Sequence, residues 1–143
     1  MANRYLEQFQ LSFEKYLCTI YGEFSIGSSG AVTAGTVKGG GVSAVVKESA
    51  DGQYSITLED YWGKLVDFDA QIVDSAVSQI AKIQILEDPA TLQTDFKADK
   101  TFKIQCLSIE SDATPQLIAA NPASGDQIKF KIVVRNSLEG KFD

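Results

Sequence analysis

The sequence predicts an all-β chain: a single-domain antiparallel β-sandwich or jelly-roll-like barrel with an N-terminal arm or short helix. Three observations predict it. Seven short segments alternate apolar and polar residues at the period of two that a half-buried strand requires. Gly, Asp, Asn, Ser and Pro fill the gaps between them, as reversals of the chain demand. The length of 143 residues, with 44% hydrophobic and 22% charged side chains, suits one globular domain with its own core.

Residues 1–17 form the arm or short helix, and residues 18–143 the β-sandwich domain. Within the first segment Phe9 and Phe13 stand at helical spacing, while Phe9, Leu11 and Phe13 also alternate as in a strand. Both conformations remain open there. Cys18–Ile26 reads as the first strand, with Cys18, Ile20, Gly22, Phe24 and Ile26 on one face, closed by the turn-like Gly27-Ser-Ser-Gly30. Val42–Glu48 follows the run Gly39-Gly40-Gly41. Asp51-Gly52 then predicts a hairpin, because glycine accepts positive φ without steric cost. It leads into Tyr54–Leu58, where Tyr54, Ile56 and Leu58 face inward.

Lys64–Val73 places Val66, Phe68, Ala70 and Ile72 opposite Asp67, Asp69 and Gln71. Ile80–Leu86 runs into Glu87-Asp-Pro89, whose proline cannot donate to a central ladder. Phe102–Leu107 alternates Phe102, Ile104 and Cys106 against Lys103 and Gln105. Ser111–Gly125, with Pro115 and Pro122, reads as turns. Ile128–Arg135 puts Ile128, Phe130, Ile132 and Val134 on the final inward face.

Charge and composition narrow the function. The net charge is −6, and the 13 basic residues are scattered. A grip on phosphates or on an anionic membrane needs clustered Lys and Arg, so neither nucleic acid nor membrane is expected as a partner. The start of the chain lacks the apolar run of a signal peptide, and no stretch nears the ~20 apolar residues of a membrane span, so a cytoplasmic site of synthesis is expected. In that compartment Cys18 and Cys106 read as two buried thiols rather than a disulfide.

The chain holds no histidine, which removes the commonest general base, the nucleophile–histidine triads and most zinc sites. No catalytic residue, cofactor or metal is expected. Asp67 and Asp69, at strand spacing, read as a solvated face rather than a calcium or glycosidase pair. Lys38 before Gly39-Gly40-Gly41 lacks the Gly-Lys-Ser/Thr ending of a phosphate loop and reads as a bend. Tyr61-Trp62 offers either an aromatic anchor for a sugar or a protein, or a cover over an open end of the sandwich.

A series of short motifs stands in order along the chain. Gly27-Ser-Ser-Gly-Ala-Val-Thr-Ala34 is followed by Lys38-Gly-Gly-Gly-Val-Ser-Ala-Val-Val-Lys-Glu48. Gly52-Gln-Tyr-Ser-Ile-Thr-Leu-Glu-Asp-Tyr-Trp62, Leu65-Val-Asp-Phe-Asp-Ala70, Phe102-Lys-Ile-Gln-Cys106, Asn121-Pro-Ala-Ser-Gly-Asp126 and Ile128-Lys-Phe-Lys-Ile-Val-Val-Arg-Asn-Ser137 complete it. This stretch, about three quarters of the chain, resembles a group of small virion proteins of tailed bacteriophages. The resemblance implies a β-rich structural protein without catalytic residues, a capsid decoration or cement protein at the virion surface. A tail, neck or fibre-attachment component and a carbohydrate-binding β-sandwich are the alternatives. The implied partner is the major capsid protein or another virion protein, and three-fold lattice positions lead us to expect a homotrimer. Tyr5, Phe9, Phe13, Tyr61 and Trp62 are the candidate partner-binding residues.

Overall fold

The computed structural model describes residues 17–74, 80–110 and 114–135. The arm residues Tyr5, Phe9 and Phe13 therefore lie outside the described residues. The strands are β1 (Leu17–Ser25), β2 (Val42–Lys47), β3 (Gln53–Leu58), β4 (Lys64–Val73), β5 (Ile80–Ile85), β6 (Thr101–Ile109), β7 (Leu117–Ala119) and β8 (Gln127–Arg135). Among the described residues one α-helix, α1 (Leu92–Asp99), precedes β6. Two antiparallel sheets form an all-β, sandwich-like domain. The smaller has the order β1-β8-β4, and the larger β2-β3-β6-β5, with β7 pairing β6 beyond the end of β3.

The alternation read from the sequence becomes the core. Phe24, Tyr54, Ile56, Leu58, Phe102, Ile104, Cys106, Ile128, Ile132 and Val134 are completely buried. Six aromatic rings form a continuous chain through it. Tyr54 meets Phe24 with ring centroids 5.5 Å apart, Phe24 meets Phe130 at 6.2 Å, and Phe130 meets Phe68 at 6.3 Å. Phe68 then meets Phe102 at 5.5 Å, edge-on, and Phe102 meets Phe96 at 6.1 Å. The chain crosses from sheet to sheet and ends on the helix, and such tilted contacts add to simple area burial.

Gly22 makes the chain possible. It pairs with Phe130 across β1 and β8, and a Cβ at this position would lie 2.3 Å from the tip of the Phe130 ring. The ring occupies the space that any side chain would take.

Polar groups inside this core are tied down. The buried Tyr54 hydroxyl donates to the Gly30 carbonyl at 2.6 Å, fixing the short 3-10 turn Ser28–Gly30 against β3. Burial, and secondarily the neighbouring Cys106, raises the Tyr54 phenol far above its ordinary range, so it remains a neutral donor. Asn121 clasps the β2–β3 hairpin: its Oδ1 accepts from Gly52 N and its Nδ2 donates to Asp51 Oδ1, both at 2.8 Å. Gly52 takes φ of 68°, and a Cβ there would lie 2.5 Å from the Ala120 carbonyl oxygen.

Four expectations change. Val66 is not inward: the β4 register shifts between Leu65 and Asp67, so Leu65 is buried while Val66 is 45% exposed. A bulge adds one residue and transfers the inward position to its neighbour. Second, α1 forms between Pro89 and β6, a stretch to which the sequence pattern assigned no element, because only Leu92 and Phe96 of its eight residues pack on the core and leave a faint helical period. Third, β7 forms inside the predicted turn region 111–125, short and exposed along its length. Last, both cysteines are free as expected, but only Cys106 is buried, and Cys18 is half-buried near the edge of its sheet. Burial pushes the Cys106 thiol up to about 12, against an opposing pull from Lys47.

The helix has a specific task at the β4 bulge. Gln93 Oε1 accepts from Leu65 N at 2.9 Å, and Gln93 Nε2 donates to the Leu65 carbonyl at 2.8 Å. The side-chain amide thus replaces the missing neighbour strand and blocks the β4 edge. Gln93→Ala should lose about 1–3 kcal/mol of stability, because it leaves two backbone groups without partners. Urea denaturation of the two proteins measures this directly.

Candidate functional site

The end of the sandwich where β1 begins and β8 ends gathers the exposed candidates. Leu17, Arg135 and Lys64 lie side by side in one register row. The loop from β3 to β4 joins them, since Gly63 N donates to the Arg135 carbonyl at 2.8 Å. Tyr61 and Trp62 lie in that loop, beside the point where residues 1–16 join β1. Leu17 is 42% exposed and Tyr61 65% exposed.

Tyr61 is held outward by a cation. Lys100 Nζ stands 4.8 Å from the centroid of its ring and donates to the Glu59 carbonyl at 3.0 Å. Lys100 itself adopts φ of 51° as the left-handed cap of α1, with its N–H bonded to the Phe96 carbonyl at 2.7 Å. The aromatic anchor is therefore built from the helix end, and a pre-positioned ring loses less freedom on docking. Trp62 does the opposite and packs against the core. The pair is split: one ring covers the sandwich end, and the other faces solvent. A two-ring sugar platform is not formed.

The remaining candidates stay apart from this end. Asp67 and Asp69 project from the outer face of the smaller sheet and are exposed. Gly39 and Gly41, with φ of 136° and 99°, form a bend packed against β1, where a Cβ on Gly39 would lie 2.3 Å from the Tyr21 carbonyl oxygen. Among the described residues no three His, Cys, Asp or Glu side chains come together as a metal site, and no helix is long and apolar enough to cross a membrane.

Sequence reasoning passed over two features. Tyr21 is 68% exposed on the outer face of β1, between two open depressions of about 260 and 350 Å³. Asp69, Gln71, Lys129 and Lys131 line the second of them. The signal was present, because the alternation that sends Ile20 and Gly22 inward sends Tyr21 outward. The other is Asp126, only 3% exposed at the opposite end of the sandwich, where β4 stops and β8 starts. Nothing in its sequence position marks it as a buried acid.

Asp126 accepts from Ala123 N at 3.0 Å and shares a side-chain hydrogen bond with Asp74. Burial raises its carboxyl pKa first, then the hydrogen bond and charge of Asp74, against a lowering by Ala123 N–H. Two facing carboxyl groups hold together only while a proton lies between them.

Comparison with protein-family models finds no match, and no curated protein and no solved structure matches the chain.

The acid pair sets a pH dependence. The folded pKa of Asp126 lies above its unfolded value, so its contribution is complete at pH below the ordinary aspartate range near 3.8 and is lost as pH rises through the raised value. Asp74→Asn removes the facing charge while keeping a hydrogen-bonding amide. The variant should lose less stability than the parent on going from pH 4 upward, measured by urea denaturation across that range.

Proposed function

We propose that this chain is a non-enzymatic structural protein of a tailed-bacteriophage particle, a capsid decoration or cement protein that binds the major capsid lattice as a trimer. Two lines support the reading. The motif series that resembles small virion proteins runs through positions on which this fold depends. Gly27–Gly30 receives the Tyr54 hydroxyl, Gly52 and Asn121 clasp the hairpin, and Asp126 closes the last turn. The resemblance therefore follows constraints of the backbone rather than surface composition.

The observation that carries the reading furthest is the outward-held Tyr61 at the end where the N-terminal segment joins the domain. A cement protein must bridge neighbouring subunits, which calls for a stiff body, an aromatic anchor and a reach beyond the body. The aromatic chain supplies the first and Tyr61 the second. Residues 1–16, rich in Phe, Tyr and Leu, supply the third. Symmetric attachment then multiplies contacts that are weak one at a time.

Deleting residues 1–16 should abolish co-sedimentation with particles while leaving the β circular-dichroism spectrum unchanged. Undiminished attachment of the truncated protein would remove the arm from the mechanism. Tyr61→Ala should weaken attachment about tenfold, roughly 1.4 kcal/mol, with little loss of stability. Trp62→Ala should instead cost about 1–3 kcal/mol of folding stability through lost packing. A reconstruction of intact particles that locates this domain at the neck or tail would replace the capsid assignment with that one.

A further inference from the structure

The free edge of β1 is closed over its second half and open over its first. Glu23 and Lys38 exchange two backbone hydrogen bonds, each 2.9 Å long. The Ser25 carbonyl accepts from Thr33 N at 2.9 Å, and Ser25 N donates to Thr36 Oγ1 at 3.0 Å. The N–H and C=O of one strand residue share a side, and the side alternates along the chain. Odd-numbered residues of β1 thus face this edge, while even-numbered ones bond to β8. Ile26 keeps the parity, donating to the Asp126 carbonyl on the β8 side.

Leu17 and Thr19 therefore turn their N–H and C=O groups toward the same edge, and Tyr21 turns its N–H there. None of these has a hydrogen-bond partner on that side among the described residues. Gly39 lies against the Tyr21 carbonyl and marks where the cover ends. On the outer face of this open stretch stand Leu17, Thr19 and the 68% exposed Tyr21, and on the inner face half-buried Cys18 and buried Ile20. An uncovered edge of this kind is a template for an added strand.

We propose that this edge receives residues 8–13 of a second copy of the chain as an extra β-strand. Gln8-Phe-Gln-Leu-Ser-Phe13 alternates cleanly. Laid along Leu17–Tyr21, it sets Phe9, Leu11 and Phe13 beside Cys18 and Ile20, and Gln8, Gln10 and Ser12 beside the solvent-facing row. The donor is not the chain's own arm. To return onto its own β1, the chain must reverse just before Leu17, yet Phe13-Glu-Lys-Tyr16 contains no Gly, Pro, Asn, Asp or Ser. Sixteen extended residues reach roughly 50 Å, enough to meet a neighbouring domain. Donor segment and acceptor edge are different surfaces, so the contact is heterologous, and a rotation that returns to the first copy closes it as a ring rather than a filament. This assembly does not depend on the virion reading.

The full-length protein separates donor from acceptor by two sets of substitutions. Thr19→Pro removes an edge-facing N–H without taking a bond from the β1–β8 ladder, so it blocks the acceptor alone. Phe9→Asp/Phe13→Asp disables the donor alone. By light scattering after gel filtration, the unaltered protein should be a closed oligomer and each variant a monomer. An equimolar mixture of the two variants should form a heterodimer of two chains and nothing larger. A monomeric parent, a Thr19→Pro variant of parental mass, or folded variants that do not pair would each overturn the proposal. Amide exchange gives a readout independent of the proline variant. Thr19 and Tyr21 should exchange at least tenfold more slowly in the parent than in Phe9→Asp/Phe13→Asp, and equal rates would also overturn it.

Discussion

The fold depends on the packing of Phe130 against Gly22. Phe130 is the ring through which Phe24 on β1 and Phe68 on β4 communicate, and it sits on β8, the central strand of the smaller sheet. Its position requires that the residue opposite have no side chain. From that single vacancy the aromatic chain extends to Tyr54 and Phe102 in the facing sheet and to Phe96 on the helix. Interiors packed at crystal density transmit such a constraint, because a ring displaced at one point has nowhere to go without moving the next.

The two ends of the sandwich are closed by different physics. At the end bearing Tyr61 and Lys100, loops are held by backbone hydrogen bonds and a cation over an aromatic ring, and apolar side chains remain exposed. At the opposite end polar side chains close the turns: Asn121 on the hairpin, and Asp126 with Asp74 where β4 meets β8. The first end suits contact with another surface. The second ties stability to a proton, since one shared proton holds the acid pair at a single negative charge and its loss sets two carboxylates against each other.

Edge management follows the same division. Gln93 closes the bulged start of β4, and Lys38 with Thr33 and Thr36 closes the second half of β1. The opening lies at the start of β1, on the edge of the smaller sheet opposite β4. A protein that protects neighbouring edges in this way leaves Leu17–Tyr21 as the place where an added strand costs least.

Strand positions and inward faces were legible because period-two alternation is a property of neighbouring residues. Cys18, Ile20, Gly22, Phe24 and Ile26 share their face as read, and the Tyr54–Leu58 strand is buried where its alternation places it. The outward pair Asp67 and Asp69 was equally visible. The residues that failed are those whose environment comes from far along the chain. Val66 turned outward because the pairing with β8 slips by one residue, and α1 formed because Gln93 and Phe96 found partners on β4 and in the core. The splitting of Tyr61 from Trp62 likewise rests on Lys100, 39 positions away in the sequence. Local pattern alone determined that this chain is all-β and, apart from the bulged start of β4, which faces its strands bury. Only the tertiary structure decided which side chains and which strand edge remain for a partner, because exposure is settled by what the rest of the chain has already covered.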